Sequence, residues 1–162
     1  MNIKIALVGC GVVSKKHFLS FFRLKKFLHI KAICDVDRDR LKKTSKFLSD
    51  LYLDSSEDIK DLIIFDDYLH LLKEIELKRI LIDLIVVCTP NGIHANQSIM
   101  AGKLGVNVCT EKPLATNYND LLLLSKVFKG NKAKLFVVLQ QRVNPYIQIL
   151  KKQIDSGRFG KI

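Results

Sequence analysis

Between the apolar run Ile3 to Val8 and a stretch with helical spacing lies Gly9-Cys10-Gly11-Val12-Val13-Ser14. Glycines so placed permit a tight turn at Gly9 and close approach of the Gly11 backbone to an anion. A helix that starts next offers its free N–H groups and positive dipole end to phosphates. Ser14 stands where a third glycine would give the closest packing of helix on strand, so slightly looser packing is expected, with Ser14 serving as a helix cap instead. Asp35 follows 21 residues after Ser14, at the tip of the next apolar run, Ile30 to Cys34. A carboxylate there accepts both ribose hydroxyls of a bound adenosine and repels a 2′-phosphate, so the combination predicts NAD over NADP. Arg38 and Arg40 close by keep NADP as the alternative.

Two further polar clusters follow apolar runs: Thr89-Pro90-Asn91-Gly92-Ile93-His94, and Thr110-Glu111-Lys112-Pro113. Open α/β sheets bind ligands at the carboxyl ends of their strands, so three such loops are expected to face one crevice. Pro90 cannot continue a strand ladder and turns the chain outward. The Thr-Pro-Asn turn taken alone reads equally well as an ordinary turn. His94 divides evenly between the crevice and a structural role, and His17, on the first helix, reads as packing. His29 and His70 carry no motif and read as surface residues.

The elements that must position these loops alternate strictly. Ile3 to Val8 reads as a buried strand; a helix after Ser14 places Phe18, Phe21, Phe22 and Leu28 near one face; Ile30 to Cys34 is a second strand. A charged helix begins near Arg38, and Leu62 to Phe65 reads as a short strand. Then come a helix over Tyr68 to Lys78, a strand from Ile80 to Cys88 interrupted near its start by Asp83, and a helix from Ile93 to Leu104 closed by Gly105. Val106 to Cys109 and Leu135 to Leu139 are strands around a helix capped by Asn117 and ended by Gly130. Strands that read as continuous apolar runs predict a Rossmann-type doubly wound parallel sheet of the α/β class, covered on both faces. Beyond it, Asn144-Pro145 opens a helix whose Ile147, Leu150 and Ile154 share a face, Gly157 stops it, and Phe159 and Ile162 read as the start of a further strand.

Composition sets the outer limits. The 162 residues, 48% hydrophobic and 27% charged, suit one ordinary domain with its own core. The longest wholly apolar stretch, Ile5 to Val13, is too short to span a bilayer and lacks a signal-peptide cleavage pattern, so a cytoplasmic protein without membrane contact is expected. Cys10, Cys34, Cys88 and Cys109 occur singly, which reads as four small buried hydrophobes and no metal site. The net charge of +11 is concentrated in residues 1–34 and 130–162, but scattered lysines without interleaved aromatics predict a solvated surface and no nucleic-acid partner.

Gly9-x-Gly11-x-x-Ser14-x-x-His17, Asp35, Thr89-Pro90-Asn91-x-x-His94, Glu111-Lys112-Pro113 and Gln140-Gln141-Arg142-Val143-Asn144-Pro145 together resemble the N-terminal half of the glucose-fructose oxidoreductase, inositol dehydrogenase and MocA family. The segments 110–116, 135–138 and 158–160 resemble more narrowly the bacterial dehydrogenases that oxidise the 3-hydroxyl of UDP-N-acetylglucosaminuronic acid in surface-polysaccharide (lipopolysaccharide) synthesis. The resemblance implies hydride transfer between a carbinol carbon of a sugar or nucleotide sugar and NAD. Lys112 would be the catalytic group, hydrogen-bonded to the reacting hydroxyl and the nicotinamide ribose, with Glu111 orienting it. It further implies cofactor contacts from the turn residues Gly9, Gly11, Val12 and Val13, from Asp35, from Thr89, Pro90, Asn91 and His94, and from Glu111, Lys112 and Gln140.

On this reading residues 1–140 form the NAD-binding domain, and 141–162 a linker helix and the start of a C-terminal domain that is otherwise missing. In the longer family form that α/β domain covers the nicotinamide, supplies a general base and makes a homo-oligomer interface. The expectation is therefore the cofactor-binding half of a dehydrogenase acting on a small-molecule substrate. A catalytically inactive NAD-binding module or redox sensor, or a fragment of a split gene, are the alternatives.

Overall fold

The computed structural model of the chain describes residues 2–53 and 59–161. Its central strand β1 (Ile3–Val8) ends in four buried aliphatic residues because both faces are covered. Ile5 and Leu7 pack with Phe18 of α1 (Ser14–Arg23), with Ile30 and Ile33 of β2 (Leu28–Cys34) and with Leu41 and Leu48 of α2 (Arg38–Leu51). Ala6 and Val8 pack on the other side with Phe65 of β3 (Ile63–Phe65), Leu71 of α3 (Tyr68–Glu76) and Ile85 and Val87 of β4 (Leu84–Val87). A fully buried aliphatic side chain contributes about 1.5–3 kcal/mol, so these two layers hold the sheet. The remaining strands and α-helices among the described residues are α4 (His94–Lys103), β5 (Asn107–Thr110), α5 (Tyr118–Lys129), β6 (Leu135–Val137) and α6 (Pro145–Asp155).

All five strand pairings are parallel, in the order β3-β2-β1-β4-β5-β6. The strand order reverses between β1 and β4, and a crevice opens where the chain leaves those two strands in opposite directions. Ladder hydrogen bonds continue one residue past the strand ends. Gly9 N donates to Cys34 O (2.8 Å), Cys88 N to Val8 O (2.7 Å), Glu111 N to Val87 O (2.9 Å) and Val138 N to Thr110 O (2.9 Å). Each polar loop is thereby fixed at its root on a neighbouring strand.

Side chains cap four helix starts, of which Asn117 and Asn144 are the two read from sequence. Asp37 accepts from Asp39 N and Arg40 N, Asp67 from Leu69 N and His70 N, Asn117 from Asp120 N, and Asn144 from Tyr146 N with proline next in chain. Ser14 is different from expectation. Its hydroxyl donates to Gly11 O (2.6 Å) instead of accepting from a helix N–H, and its side chain is buried, so it closes the glycine turn from within. Leu28 belongs to β2, not to the apolar face of α1.

The expected strand from Ile80 to Cys88 shortens to Leu84–Val87. Asp83 exchanges bonds with Lys4, its carboxylate accepting from Lys4 N (2.8 Å), so a side chain takes the place of a ladder carbonyl; Ile80 and Ile82 bury ahead of the strand. Phe159 lies in a turn rather than a strand, and Ile162 is outside the described residues. Ile147, Leu150 and Ile154 share a face of α6 as expected, and that face is exposed. No helix among the described residues is long and apolar enough to cross a membrane.

Candidate functional site

The glycine turn sits at the strand-order reversal. Gly9 has φ +94°, and a Cβ there would lie 2.6 Å from the backbone carbon of Cys88, so only glycine fits. A Cβ at Gly11 would meet nothing within 4 Å. The chain's own packing gives no reason for a glycine at that position.

Two cavities flank this turn. One, of about 340 Å³, is lined by Gly9, Gly11, Asp35, Val36, Arg40, Tyr68, Thr89, Pro90, Ile93 and Gln97 among others. The other, of about 510 Å³, is lined by Val13, Lys16, His17, Ser20, Thr89, Asn91, His94, Glu111, Lys112, Val138 and Gln140. Thr89 borders both. Every cofactor residue expected from sequence therefore lines one cavity or the other except Val12, which is 91% exposed and lines neither.

In the smaller cavity Asp35 is 7% exposed. One carboxylate oxygen accepts from Cys10 N (2.7 Å) and the other from Asp37 N (2.9 Å), which fixes the side chain against the glycine turn. A carboxylate has about four lone-pair sites, so two remain for other donors. Arg40 lies 3.9 Å from Asp35 and 3.3 Å from Asp37, while Arg38 pairs with Asp66 at 2.7 Å. The backbone N–H of Arg40 holds the Asp37 carboxyl below its ordinary pKa, and the Arg38 hydrogen bond does the same for Asp66. Both arginines are thus already paired with acids. Gln97 orders the opposite wall, its side-chain oxygen accepting from Thr89 (2.6 Å) and its carbonyl from the Tyr68 hydroxyl (2.7 Å). Burial pushes the Cys10 and Cys34 thiols up to about 12, so both stay protonated at neutral pH, and Cys34 lines this cavity as a small apolar group.

In the larger cavity the Lys112–Pro113 peptide bond is cis and the Lys112 side chain is exposed to the opening. Glu111 does not orient the Lys112 ammonium as expected. Its Oε1 lies 2.9 Å from His17 Nε2, and its Oε2 accepts from the Lys112 backbone N–H (3.2 Å). The carboxylate therefore holds the loop's backbone and ties it to α1. His17 packs as expected, its ring centroid 6.1 Å from that of Phe21, and beyond that it lines the cavity and anchors Glu111.

His94 is 1% exposed, with Nε2 at 2.6 Å from Thr89 O and Nδ1 at 2.9 Å from Pro113 O. Both ring nitrogens are engaged by the chain itself. Its position in the crevice is as expected, but it acts there by bridging the Thr89 loop to the Lys112 loop. Sequence reasoning missed Lys16, Ser20 and Val138 on this side and Tyr68, Ile93 and Gln97 on the other. The spacing of Lys16, His17 and Ser20 after the glycine turn was the one available signal, because i and i+4 share a helix face.

A family model described as an oxidoreductase family with an NAD-binding Rossmann fold matches residues 3–139. Among solved structures, the WlbA dehydrogenase from Bordetella pertussis, in complex with NADH and UDP-GlcNAcA, superimposes with a TM-score of 0.83 at 30% identity over 100% of this chain. Among curated relatives, an inositol 2-dehydrogenase from Rhizobium meliloti is 33% identical over 81 residues, half of this chain and 24% of that protein. A D-glucoside 3-dehydrogenase from Escherichia coli is 25% identical over 160 residues, 99% of this chain. The chain spans 41% of the latter protein and 44% of the WlbA chain, well under half of either.

Proposed function

The chain belongs to the GFO_IDH_MocA oxidoreductase family, whose matching domain is an NAD-binding Rossmann fold, and on that premise we propose that it is the cofactor-binding part of an NAD-dependent sugar dehydrogenase. The observation that carries this reading is the pair of cavities that share Thr89, one lined by Gly9, Gly11 and Asp35 and the other by Val13 and Lys112. That arrangement fits a dinucleotide with adenosine at Asp35, diphosphate on the glycine turn and nicotinamide beside Lys112. Bound there, the nicotinamide would accept or return a hydride.

The chain's residues do the remaining work. Asp35, already fixed by Cys10 N and Asp37 N, accepts the ribose hydroxyls with its remaining lone pairs. His94 and the His17–Glu111 pair hold the Thr89 and Lys112 loops at a set separation. Lys112 would then face the hydroxyl of the sugar, and its ammonium would stabilise the alkoxide that develops as the O–H proton passes to a general base, which the family resemblance places in the C-terminal domain, more than it stabilises the alcohol; loss of the hydride from carbon then leaves a carbonyl. The substrate we favour is a nucleotide-linked sugar acid oxidised at its 3-hydroxyl, as in UDP-N-acetylglucosaminuronate. Supporting it are the 30% identity to a dehydrogenase crystallised with UDP-GlcNAcA and the likeness to a D-glucoside 3-dehydrogenase.

Calorimetric titration of the 162-residue chain is expected to show one NAD site per chain, with NADP weaker by at least about tenfold, or 1.4 kcal/mol. The absence of saturable NAD binding, or tighter binding of NADP, refutes the reading.

A further inference from the structure

Helix α1 carries two consecutive lysines with different destinations. The Lys15 ammonium lies 5.8 Å from the centroid of the Phe47 ring, on the α2 side. Lys16 instead lines the 510 Å³ cavity together with Ser20, one turn further along the helix. The Ser20 hydroxyl donates to Lys16 O (2.9 Å), which leaves its oxygen lone pairs as acceptors, and the Lys16 ammonium carries three donors.

The charge of this cavity is unbalanced. Its one lining carboxylate, Glu111, is engaged by His17 at 2.9 Å and by the Lys112 N–H at 3.2 Å. Neither the Lys16 nor the Lys112 ammonium has an ion-pair partner among the described residues. A neutral ligand would leave both cations without a counter-charge, whereas an anionic one would supply it. On the dehydrogenase reading, on which this step rests, Lys112 is committed to the reacting hydroxyl and the cofactor's phosphates lie at Gly9–Gly11. Lys16, five residues beyond Gly11 on α1, is left to meet the substrate.

We infer that Lys16 is a specificity-determining residue: it forms an oxyanion subsite that selects sugars bearing a negative group, a carboxylate or a phosphate. The pairing is exposed, so its expected worth is that of a surface ion pair, about 1 kcal/mol or a fivefold preference, and it weakens with added salt.

The test uses the 162-residue chain loaded with NADH, titrated at low ionic strength with D-glucuronate, UDP or D-glucose while NADH fluorescence is followed. At least one of the two anions should bind about fivefold or more tightly than glucose. Preference for glucuronate alone identifies the carboxylate as the group read, and preference for UDP alone identifies the phosphate. Lys16→Gln should abolish the preference and Lys16→Arg should restore it. If glucose binds as well as both anions, if neither anion binds, or if Lys16→Gln keeps the preference, the subsite is refuted. Failure of the wild-type chain to bind NADH at all refutes the dehydrogenase reading and the subsite with it, so the two failures are distinct.

Discussion

Lys112→Ala lowers kcat by roughly 10²- to 10⁴-fold in any form of the protein that turns over a sugar, the range found when a positioned proton-transfer or charge-stabilising group is removed. The NAD dissociation constant, by contrast, changes by no more than about threefold, since a group that acts in the transition state adds little to ground-state binding. The geometry supports this separation. The Lys112 side chain is exposed at the mouth of the larger cavity, and its backbone position is set by Glu111, His17 and His94 rather than by its own ammonium. Truncating it should leave the cradle intact. Lys112→Arg keeps the charge but not the compact ammonium and should recover only part of the rate. Stopped-flow measurement of hydride transfer decides the matter: an unaltered rate in Lys112→Ala removes Lys112 from the chemistry.

Asp35→Asn weakens NAD binding by roughly 10- to 100-fold, because hydrogen bonds to a charged acceptor are worth about 1.5–3 kcal/mol and the amide loses that charge. NADP binding falls less, or rises, since the substitution also removes the repulsion of a 2′-phosphate. The two affinities therefore converge. They need not invert, because Arg38 is held by Asp66 and Arg40 lies between Asp35 and Asp37, so neither is free to receive the phosphate. Asparagine can still accept from Cys10 N or Asp37 N, which keeps the glycine turn in place. Parallel calorimetric titrations of the two nucleotides measure the effect, and an unchanged ratio of affinities would remove Asp35 from cofactor selection.

The parts of this site that lie within one β-α-β unit were legible in the sequence. Gly9, Gly11 and Asp35 announce themselves because a tight turn, an open approach and a strand-tip carboxylate each demand a residue type at a local position. Asn117 and Asn144 likewise mark the helices they cap. What escaped were the contacts made between units. The His17–Glu111 pair spans 94 residues, and nothing near His17 in sequence says that the loop after β5 will come to meet it. His94 looked like a crevice residue or a structural one with equal force, and it is the second within the first: a buried bridge between two loops that both line the site. The start of β4 was misjudged for a similar reason, since the Asp83–Lys4 exchange belongs to the pairing of two strands far apart in sequence.

The position of the dinucleotide is the centre of the account, and a crystal structure of the 162-residue chain grown with NADH tests it most directly. The adenosine ribose is expected on the Asp35 carboxylate, the diphosphate against Gly9–Gly11 and the nicotinamide in the 510 Å³ cavity beside Lys112. A nucleotide bound in the opposite orientation, with adenosine at Lys112, or seated away from the glycine turn altogether, would contradict it.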